Sequence, residues 1–332
     1  MVFIIFLLCA VATVICAIKL STYADVLSEK TALGGMLVGT IFLAGATSLP
    51  EVTTSISAIV LDNPDIAIGN VLGSNMFNLL ILAFFDLYYR RKQIFNGASN
   101  EHFYTASIGL LLAVTSLLAL TLRLNITFLG MGMDTLIIVL IYAVGMYVLT
   151  NRSKNEAQII EEPALEEEEN KLNTSAISLR RAIYGFSIAA VIILITGSLL
   201  TITGDRIAVI TGLGSSFVGS FLIAATTSLP EAVAVLIAIQ LRNYNLAIGS
   251  ILGSNLFNML ILVGTDVLYQ KGAVLSFVSP VNQITAAAVS VLSVIVMYSL
   301  LRKNYSSAKS YAFPSILLII IYFVSSYLIF VH

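Results

Sequence analysis

The sequence contains one segment twice, and this duplication is the strongest constraint on the fold. Residues 44–89 align with residues 224–269 at a constant offset of 180 without a gap, and 24 of the 46 aligned positions are identical. The identities include a proline, a glutamate and several asparagines, which a shared apolar bias would not match. Self-similarity at a fixed offset indicates that one structural unit occurs twice.

Composition indicates that both units are solvated by lipid. Apolar residues make up 58% of the chain and charged residues 11%, whereas a soluble domain carries about 25% charged residues. The balance of 17 basic against 18 acidic residues argues against a nucleic-acid-binding surface. The apolar runs are continuous, which excludes the alternating pattern of a membrane barrel. We therefore predict an all-α polytopic membrane protein.

The apolar runs predict ten transmembrane helices, since each span needs about 20 apolar residues. The predicted spans are 2–20, 33–61, 65–88, 103–122, 127–149, 182–203, 207–239, 245–269, 278–300 and 311–331. They divide into a first five-helix repeat at 1–150 and a second at 182–332, separated by an acidic loop at 151–181. Because five is odd, the second copy would enter the membrane from the opposite side. Such inverted-topology repeats are typical of secondary transporters, which bind substrate near the midplane.

Basic residues predict the orientation of these spans. If the N-terminus lies outside, 14 of the 17 Lys and Arg residues fall on the cytoplasmic side, and only Arg123, Arg206 and Lys271 fall outside. This places a multi-pass protein in the cell membrane with both termini outside and the 151–181 loop in the cytoplasm. The loop's acidic residues predict a solvated linker, because no glycine turn or spacing for a calcium-binding loop is present.

Each copy carries a proline within its second span, at Pro50 and Pro230. A proline has no N–H and collides with the carbonyl four residues back, so it frees the carbonyls of Ala46 and Thr226. At membrane depth a freed carbonyl needs another partner, such as an ion. Hydroxyl and carboxylate side chains flank each break. These residues are Thr47, Ser48, Glu51, Thr227, Ser228 and Glu231.

The following span of each copy adds a hydroxyl and a carboxamide at a four-residue spacing. These residues are Ser74, Asn78, Ser254 and Asn258. All of the candidate ligands are oxygens, which disfavours zinc, copper and haem and favours calcium, with sodium as a competitor of similar size. One calcium ion, or at least two sodium ions, would balance the two glutamates. Buried carboxylates in a membrane are expensive, so a functional role is the default interpretation.

The remaining polar positions favour structural roles. Asp86 and Asp266 are related by the repeat and lie near span ends, and Arg90, one turn after Asp86, predicts an interfacial ion pair. Asp134 is unmatched and lies near an outer boundary. Four glycines at four-residue spacing predict close helix packing. They are Gly69, Gly73, Gly249 and Gly253.

The two motifs together resemble the alpha repeats of the sodium/calcium exchangers in the cation/calcium antiporter superfamily. Thr-Ser-Leu-Pro-Glu followed by Gly-Ser-Asn-x-x-Asn occurs at 47–51 and 73–78, and again at 227–231 and 253–258. The resemblance implies that Glu51 and Glu231 bind calcium, and that the neighbouring hydroxyls and carboxamides form calcium and sodium sites. It implies exchange of several sodium ions inward for each calcium ion outward, with the first and sixth spans sliding across a fixed core. The short central loop resembles that of prokaryotic members.

One departure from the family pattern bears on the coupled ions. Some relatives carry an aspartate where this chain has Asn258, and its absence removes one negative charge and argues against potassium co-transport. A proton-coupled exchanger, or another divalent-cation antiporter, of the same fold is the main alternative; a channel is disfavoured by the repeat with two broken helices. An enzyme is not predicted, because the motif serines have no histidine or lysine base nearby in sequence. No cofactor or protein partner is expected beyond the ions and the lipid bilayer.

Overall fold

The structure is a computed structural model that describes residues 1–30, 45–159, 177–302 and 308–332. Its main helices are α1 Val2–Lys30, α2 Leu49–Val60, α3 Pro64–Tyr88, α4 Asn100–Leu122, α5 Met133–Ile159, α6 Leu179–Thr211, α7 Ser215–Thr227, α8 Leu229–Gln240, α9 Tyr244–Leu268, α10 Val281–Leu301 and α11 Ala308–Val331. Within these described ranges, eight helices are long and apolar enough to cross a membrane. The pair α7 and α8, bent by 40° at a break, makes a ninth candidate.

The two repeat-related helices α3 and α9 form the centre of the molecule. In the most apolar window of each helix, 89% of the residues in α3 and 67% in α9 are buried by protein, against 22% in α1, 17% in α5 and 28% in α6. Residues of α3 and α9 contribute to both of the large apolar clusters of the core. The sequence segments that the repeat matches best therefore lie where the two halves meet.

The same turn leads into α3 and α9. Asp62 and Arg242, at matching positions, both adopt positive φ angles of 58° and 60°. The next residue in each case, Asn63 or Asn243, caps the helix by accepting a hydrogen bond from the backbone N–H three residues on. Asparagine is among the best residues for this capping position. The repeat thus reproduces local backbone geometry as well as sequence.

The predicted boundary between the sixth and seventh spans is wrong. The sequence around Gly204 and Asp205 was expected to be a connection at 204–206, but α6 continues through it to Thr211 and ends at Gly212, whose φ is +72°. A left-handed glycine is a common helix terminator. Asp205 accepts a hydrogen bond of 2.7 Å from the Asn63 side chain. The polar residues that resembled a loop are therefore partnered within the structure.

The predicted start of the fifth span at 127 is also wrong. Residues Thr127–Phe128 and Met131–Gly132 form a short antiparallel hairpin, and helix α5 begins only at Met133. Leu129 and Gly130, at the tip, both have positive φ. This is the backbone of the tight turns that match the twist of a hairpin.

Other spans are found close to their predicted positions, with shifted ends. Helix α1 extends to Lys30 rather than 20, and α5 runs to Ile159, into the predicted linker at 151–181. Residues 31–44 and 160–176 lie outside the described residues, so the first part of the predicted 33–61 span and most of the linker are not tested. The described chain therefore supports eight or nine of the ten predicted spans.

Two of the predicted packing glycines bring helices α3 and α7 into backbone contact. A Cβ atom at Gly69 would lie 2.9 Å from the Ser216 carbonyl, and one at Gly73 would overlap the backbone of Ser220. The facing part of α7 is a π-helical segment, Val218–Ile223, a feature that occurs frequently at functional sites. The counterparts Gly249 and Gly253 show no such backbone contact among the described residues.

We expect Gly73→Ala to destabilise the protein strongly, because the added methyl group would meet backbone atoms that cannot rotate away. A loss of about 3 kcal/mol is expected for such overpacking. Gly264→Ala, in α9 with nothing within 4 Å of its Cβ position among the described residues, is the matched control. Thermal unfolding in detergent measures both variants. Equal melting temperatures for the two variants would contradict the close approach of α3 and α7.

Candidate functional site

Both predicted helix breaks are present. The chain is interrupted at Ser48 before α2 and at Ser228 before α8, with φ, ψ of −88°, 11° and −89°, 0°. In both cases the proline occupies the second position of the new helix and the glutamate the third. Each glutamate therefore lies within the first turn after a break. The positive end of the helix dipole at that turn favours a negative charge there.

All twelve predicted site residues are buried, none being more than 9% exposed. Ala46, Thr47, Ser48 and Glu51 lie at the first break, and Thr226, Thr227, Ser228 and Glu231 at the second. Ser74 and Asn78 lie on α3, and Ser254 and Asn258 on α9. The Thr226 hydroxyl bonds within its own helix, to the Leu222 carbonyl at 2.8 Å. No contact tests the predicted role of the Ala46 and Thr226 carbonyls, which stays a prediction.

Side chains of the two halves meet around Glu51. The Ser228 hydroxyl donates to Glu51 Oε1 at 3.4 Å. The hydroxyls of Ser74 and Thr227 lie 3.4 Å apart and face the same carboxylate. The second carboxylate, Glu231, interacts electrostatically with Glu51. Residues that are about 180 positions apart in sequence therefore share one buried polar site.

Most of the unsatisfied buried oxygens of the described chain lie on the predicted site residues. Ten buried side-chain oxygens have no hydrogen-bond partner there, and six of them belong to this set. They are Ser48 Oγ, Glu51 Oε2, Asn78 Oδ1, Glu231 Oε1, Glu231 Oε2 and Asn258 Oδ1. Buried polar atoms are normally paired because leaving them unpaired costs about 1–3 kcal/mol each, more when charged. Unpaired carboxylate, carboxamide and hydroxyl oxygens are groups that a bound cation would satisfy.

The donor set fits a hard cation. Carboxylate, carboxamide and hydroxyl oxygens are typical calcium ligands. Among the described residues, no group of three or more His, Cys, Asp or Glu side chains could hold a metal. Glu51 and Glu231 are therefore the acidic members of the candidate site among the described residues, and neutral oxygens would have to supply the remaining ligands of a cation. A site with few fixed charges suits an ion that must also leave.

Sequence reasoning missed three asparagines at this site. Asn70 Nδ2 donates to Thr54 Oγ1 at 2.8 Å, to Ser55 Oγ at 3.0 Å and to the Glu51 carbonyl at 3.4 Å, which anchors α2 to α3. Asn75 and Asn255 pair with each other and with the predicted ligands Asn78 and Asn258. The available signal for Asn75 and Asn255 was their identity in both copies of the Gly-Ser-Asn motif.

The structural acids have partners other than those predicted. Asp86 does not pair with Arg90; the buried carboxylate accepts from the Tyr311 hydroxyl and, at 2.6 Å, from Ser315 Oγ. Asp266 likewise accepts from two backbone amides, of Gly132 and Val274, and from Thr135 Oγ1 at 2.5 Å. These neutral donors lie on α11, on the hairpin and first turn of α5, and on the segment that follows α9. Both aspartates therefore fasten outlying elements to the central helices, while Asp134 Oδ1 accepts from the Thr135 amide.

The fold describes a polytopic membrane protein in which two related halves bring together a buried group of oxygen-bearing side chains. A family profile described as sodium/calcium exchanger protein matches residues 1–151 and 181–331. The chain therefore belongs to the sodium/calcium exchanger family, a family of cation/calcium antiporters.

Individual relatives are distant in sequence. The chain is 26% identical to the putative antiporter CaxA of Alkalimonas amylolytica over 251 residues, which is 76% of this chain and 75% of that protein. The crystal structure of the H+/Ca2+ exchanger CAX superposes with a TM-score of 0.71 at 14% identity, covering 99% of this chain and 86% of the other. The sodium-calcium exchanger NCX_Mj superposes with a TM-score of 0.58 at 18% identity, covering 97% and 96%. At these identities the two solved structures establish the fold alone.

Proposed function

We propose that the protein is a secondary active antiporter that exchanges sodium for calcium. The observation that carries the proposal is the set of six buried, unpaired oxygens on Ser48, Glu51, Asn78, Glu231 and Asn258. A calcium ion takes six to eight oxygen ligands in a flexible shell. Its charge would balance the two glutamates, and sodium ions could replace it only if at least two bound together. Competition for one site is the requirement of an antiporter, and no resident cofactor is needed.

Alternating access would follow from two halves, 1–150 and 182–332, inserted with inverted topology around the site. In this proposal both termini lie outside the cell membrane and the 151–181 loop lies in the cytoplasm. Helices α1 and α6 would move together across the core. Support comes from their mutual packing, since Thr13 Oγ1 donates to Thr196 Oγ1 at 2.7 Å, and from the small buried share of both helices.

A second candidate is proton-coupled calcium exchange by the same site. The observation that favours it is Glu231, whose two carboxylate oxygens have no hydrogen-bond partner among the described residues and which lies within electrostatic reach of Glu51. A proton would neutralise one of two neighbouring buried carboxyls as effectively as a sodium ion. The hydroxyls at both breaks favour sodium, because they add neutral oxygen ligands that a proton does not need.

Calcium uptake into proteoliposomes tests the coupling ion. We expect uptake when the lumen contains sodium and the medium does not, and we expect it to stop when choline replaces the internal sodium. A parallel set, sodium-free on both sides and acidic inside, tests the proton. Uptake in that set alone would overturn sodium coupling and establish proton coupling. Uptake without any counter-ion gradient would indicate a channel and contradict both candidates.

A further inference from the structure

Four asparagines at the contact of α3 and α9 form a reciprocal set of hydrogen bonds, which we call the asparagine ring (Asn75, Asn78, Asn255 and Asn258). Asn75 Nδ2 donates to the Asn255 carbonyl at 3.2 Å, and Asn255 Nδ2 donates to the Asn75 carbonyl at 3.3 Å. Asn258 Nδ2 donates to Asn75 Oδ1 at 2.8 Å, and Asn78 Nδ2 donates to Asn255 Oδ1 at 2.9 Å. All four side chains are at most 7% exposed.

The ring determines which end of each ligand amide faces the site. A carboxamide offers two N–H donors on one side and one acceptor oxygen on the other. The bond to the Asn255 backbone holds the nitrogen end of the Asn75 amide on that side, so its oxygen end faces Asn258, which presents its amide nitrogen to it. The Asn258 oxygen then points away from the ring and has no partner. The same reasoning, with the halves exchanged, orients Asn78 through Asn255.

We propose that Asn75 and Asn255 are positioning residues that hold the oxygens of Asn258 and Asn78 toward the transported cation. The inference rests on the proposed function, since it assigns the ring to the same ion site. Without the ring, either amide could rotate and present N–H groups, which repel a cation. The connection is crossed, so each half of the protein orients a ligand of the other half.

The ring also accounts for an amide rather than a carboxylate at position 258. An ionised aspartate has no N–H group to donate to Asn75 Oδ1, so two acceptor oxygens would face each other at 2.8 Å. Reversal of the Asn75 amide would relieve that contact but would break its bond to the Asn255 carbonyl. The site therefore carries two formal negative charges rather than three, consistent with a single divalent ion.

Calcium affinity in a double-mutant cycle tests the crossed connection. Leucine is the preferred replacement because it fills the space of asparagine. A cavity of about 10 Å³ beside Asn75 and Asn255 can hold a water molecule, and with a smaller side chain that water could replace the lost hydrogen bond. Apparent affinity is measured from the calcium-dependent rise in melting temperature of purified protein in sodium-free buffer, which reports binding by mass action. Melting without calcium reports stability separately.

We expect Asn75→Leu and Asn258→Leu each to weaken calcium binding about tenfold, the effect of losing one ion–oxygen contact. The double variant should also be weakened only about tenfold, because Asn75 acts through Asn258. Calcium binding by the Asn75→Leu/Asn78→Leu variant should instead be weakened about 100-fold. Asn75 acts through Asn258, whereas Asn78 is a separate ligand, so the two effects should multiply. Asn282→Leu, which removes a buried carboxamide bonded to Asp65 outside the ring, should leave affinity unchanged.

Three results would overturn the inference. The first is a calcium affinity of the Asn75→Leu/Asn258→Leu variant that is weakened by the product of the two single effects. The second is an Asn75→Leu variant that has a lower melting temperature without calcium but the calcium affinity of wild type. The third is a wild-type protein whose melting temperature does not rise with calcium. That result would overturn the proposed function as well, whereas the first two would overturn only the role of the ring. Where a leucine variant does not fold, the same cycle is run with alanine.

Discussion

Glu51→Gln and Glu231→Gln are each expected to lower calcium flux by at least about 100-fold, equivalent to about 3 kcal/mol of lost ion binding. Glutamine keeps the size of the side chain and one oxygen, so the packing of α2 and α8 should survive. It removes one of the two carboxylate charges of the candidate site and introduces N–H groups that repel a cation. The measurement is calcium uptake into sodium-loaded proteoliposomes, with calcium binding followed in parallel.

Glu101→Gln is the matched control for this experiment. It makes the same chemical change at a partly exposed residue in the first turn of α4, and its flux should equal that of wild type. Melting temperatures of all three variants show whether the fold is retained. A folded Glu51→Gln or Glu231→Gln variant with more than about a tenth of wild-type flux would mean that the carboxylate is not an essential ligand.

A disulfide between α2 and α6 is expected to arrest transport, whereas one between α1 and α6 is expected to be tolerated. Ser57 and Ser198 hydroxyls lie 2.9 Å apart, and Thr13 and Thr196 hydroxyls 2.7 Å apart, so cysteines at either pair of positions would bring their sulfur atoms close together. If α1 and α6 slide as one body over the core, only the Ser57–Ser198 link connects moving and fixed parts. We expect Ser57→Cys/Ser198→Cys to lose flux at least about tenfold on oxidation.

The cross-linking experiment requires removal of the free cysteines Cys9 and Cys16, for which alanine is suitable. Reduction of the disulfide should restore flux, which separates locking from misfolding. Thr13→Cys/Thr196→Cys serves as the matched control, because it adds a link of the same chemistry to the same moving helix. Arrest by this second link, or full flux with the first, would contradict a rigid α1–α6 pair.

The two helix breaks and the burial of the candidate site residues were predictable because they depend on residues that the sequence shows twice. The break-forming prolines, the glutamates and the ligand asparagines occur at equal spacing in both copies, and a proline has only one effect on a helix. All twelve predicted residues are indeed buried, and the unpaired oxygens of the described chain concentrate on them. Whether each residue binds an ion remains a prediction that the flux and affinity measurements test.

The remaining features depend on contacts between distant segments, which sequence patterns do not reveal. Asp86 was assigned to Arg90 because they are one turn apart, but Tyr311 of α11 reaches the carboxylate from more than 200 positions away. Polar residues inside α6 resembled a loop because their partner Asn63 lies in the other half. Asn75 and Asn255 received no predicted role because they pair only when α3 and α9 meet.

The asparagine ring bears on the ancestry of the chain. Its four bonds join identical residues reciprocally, as the self-complementary contact of a symmetric homodimer does. Two copies of an unduplicated half-length protein could make all four bonds without any change of residue. Elsewhere the two copies differ: Asn70, Thr54 and Ser55, which bond to one another beside Glu51, correspond to Ser250, Ala234 and Val235 beside Glu231. The ring thus keeps the two-fold symmetry of the repeat, whereas the surroundings of the two glutamates do not.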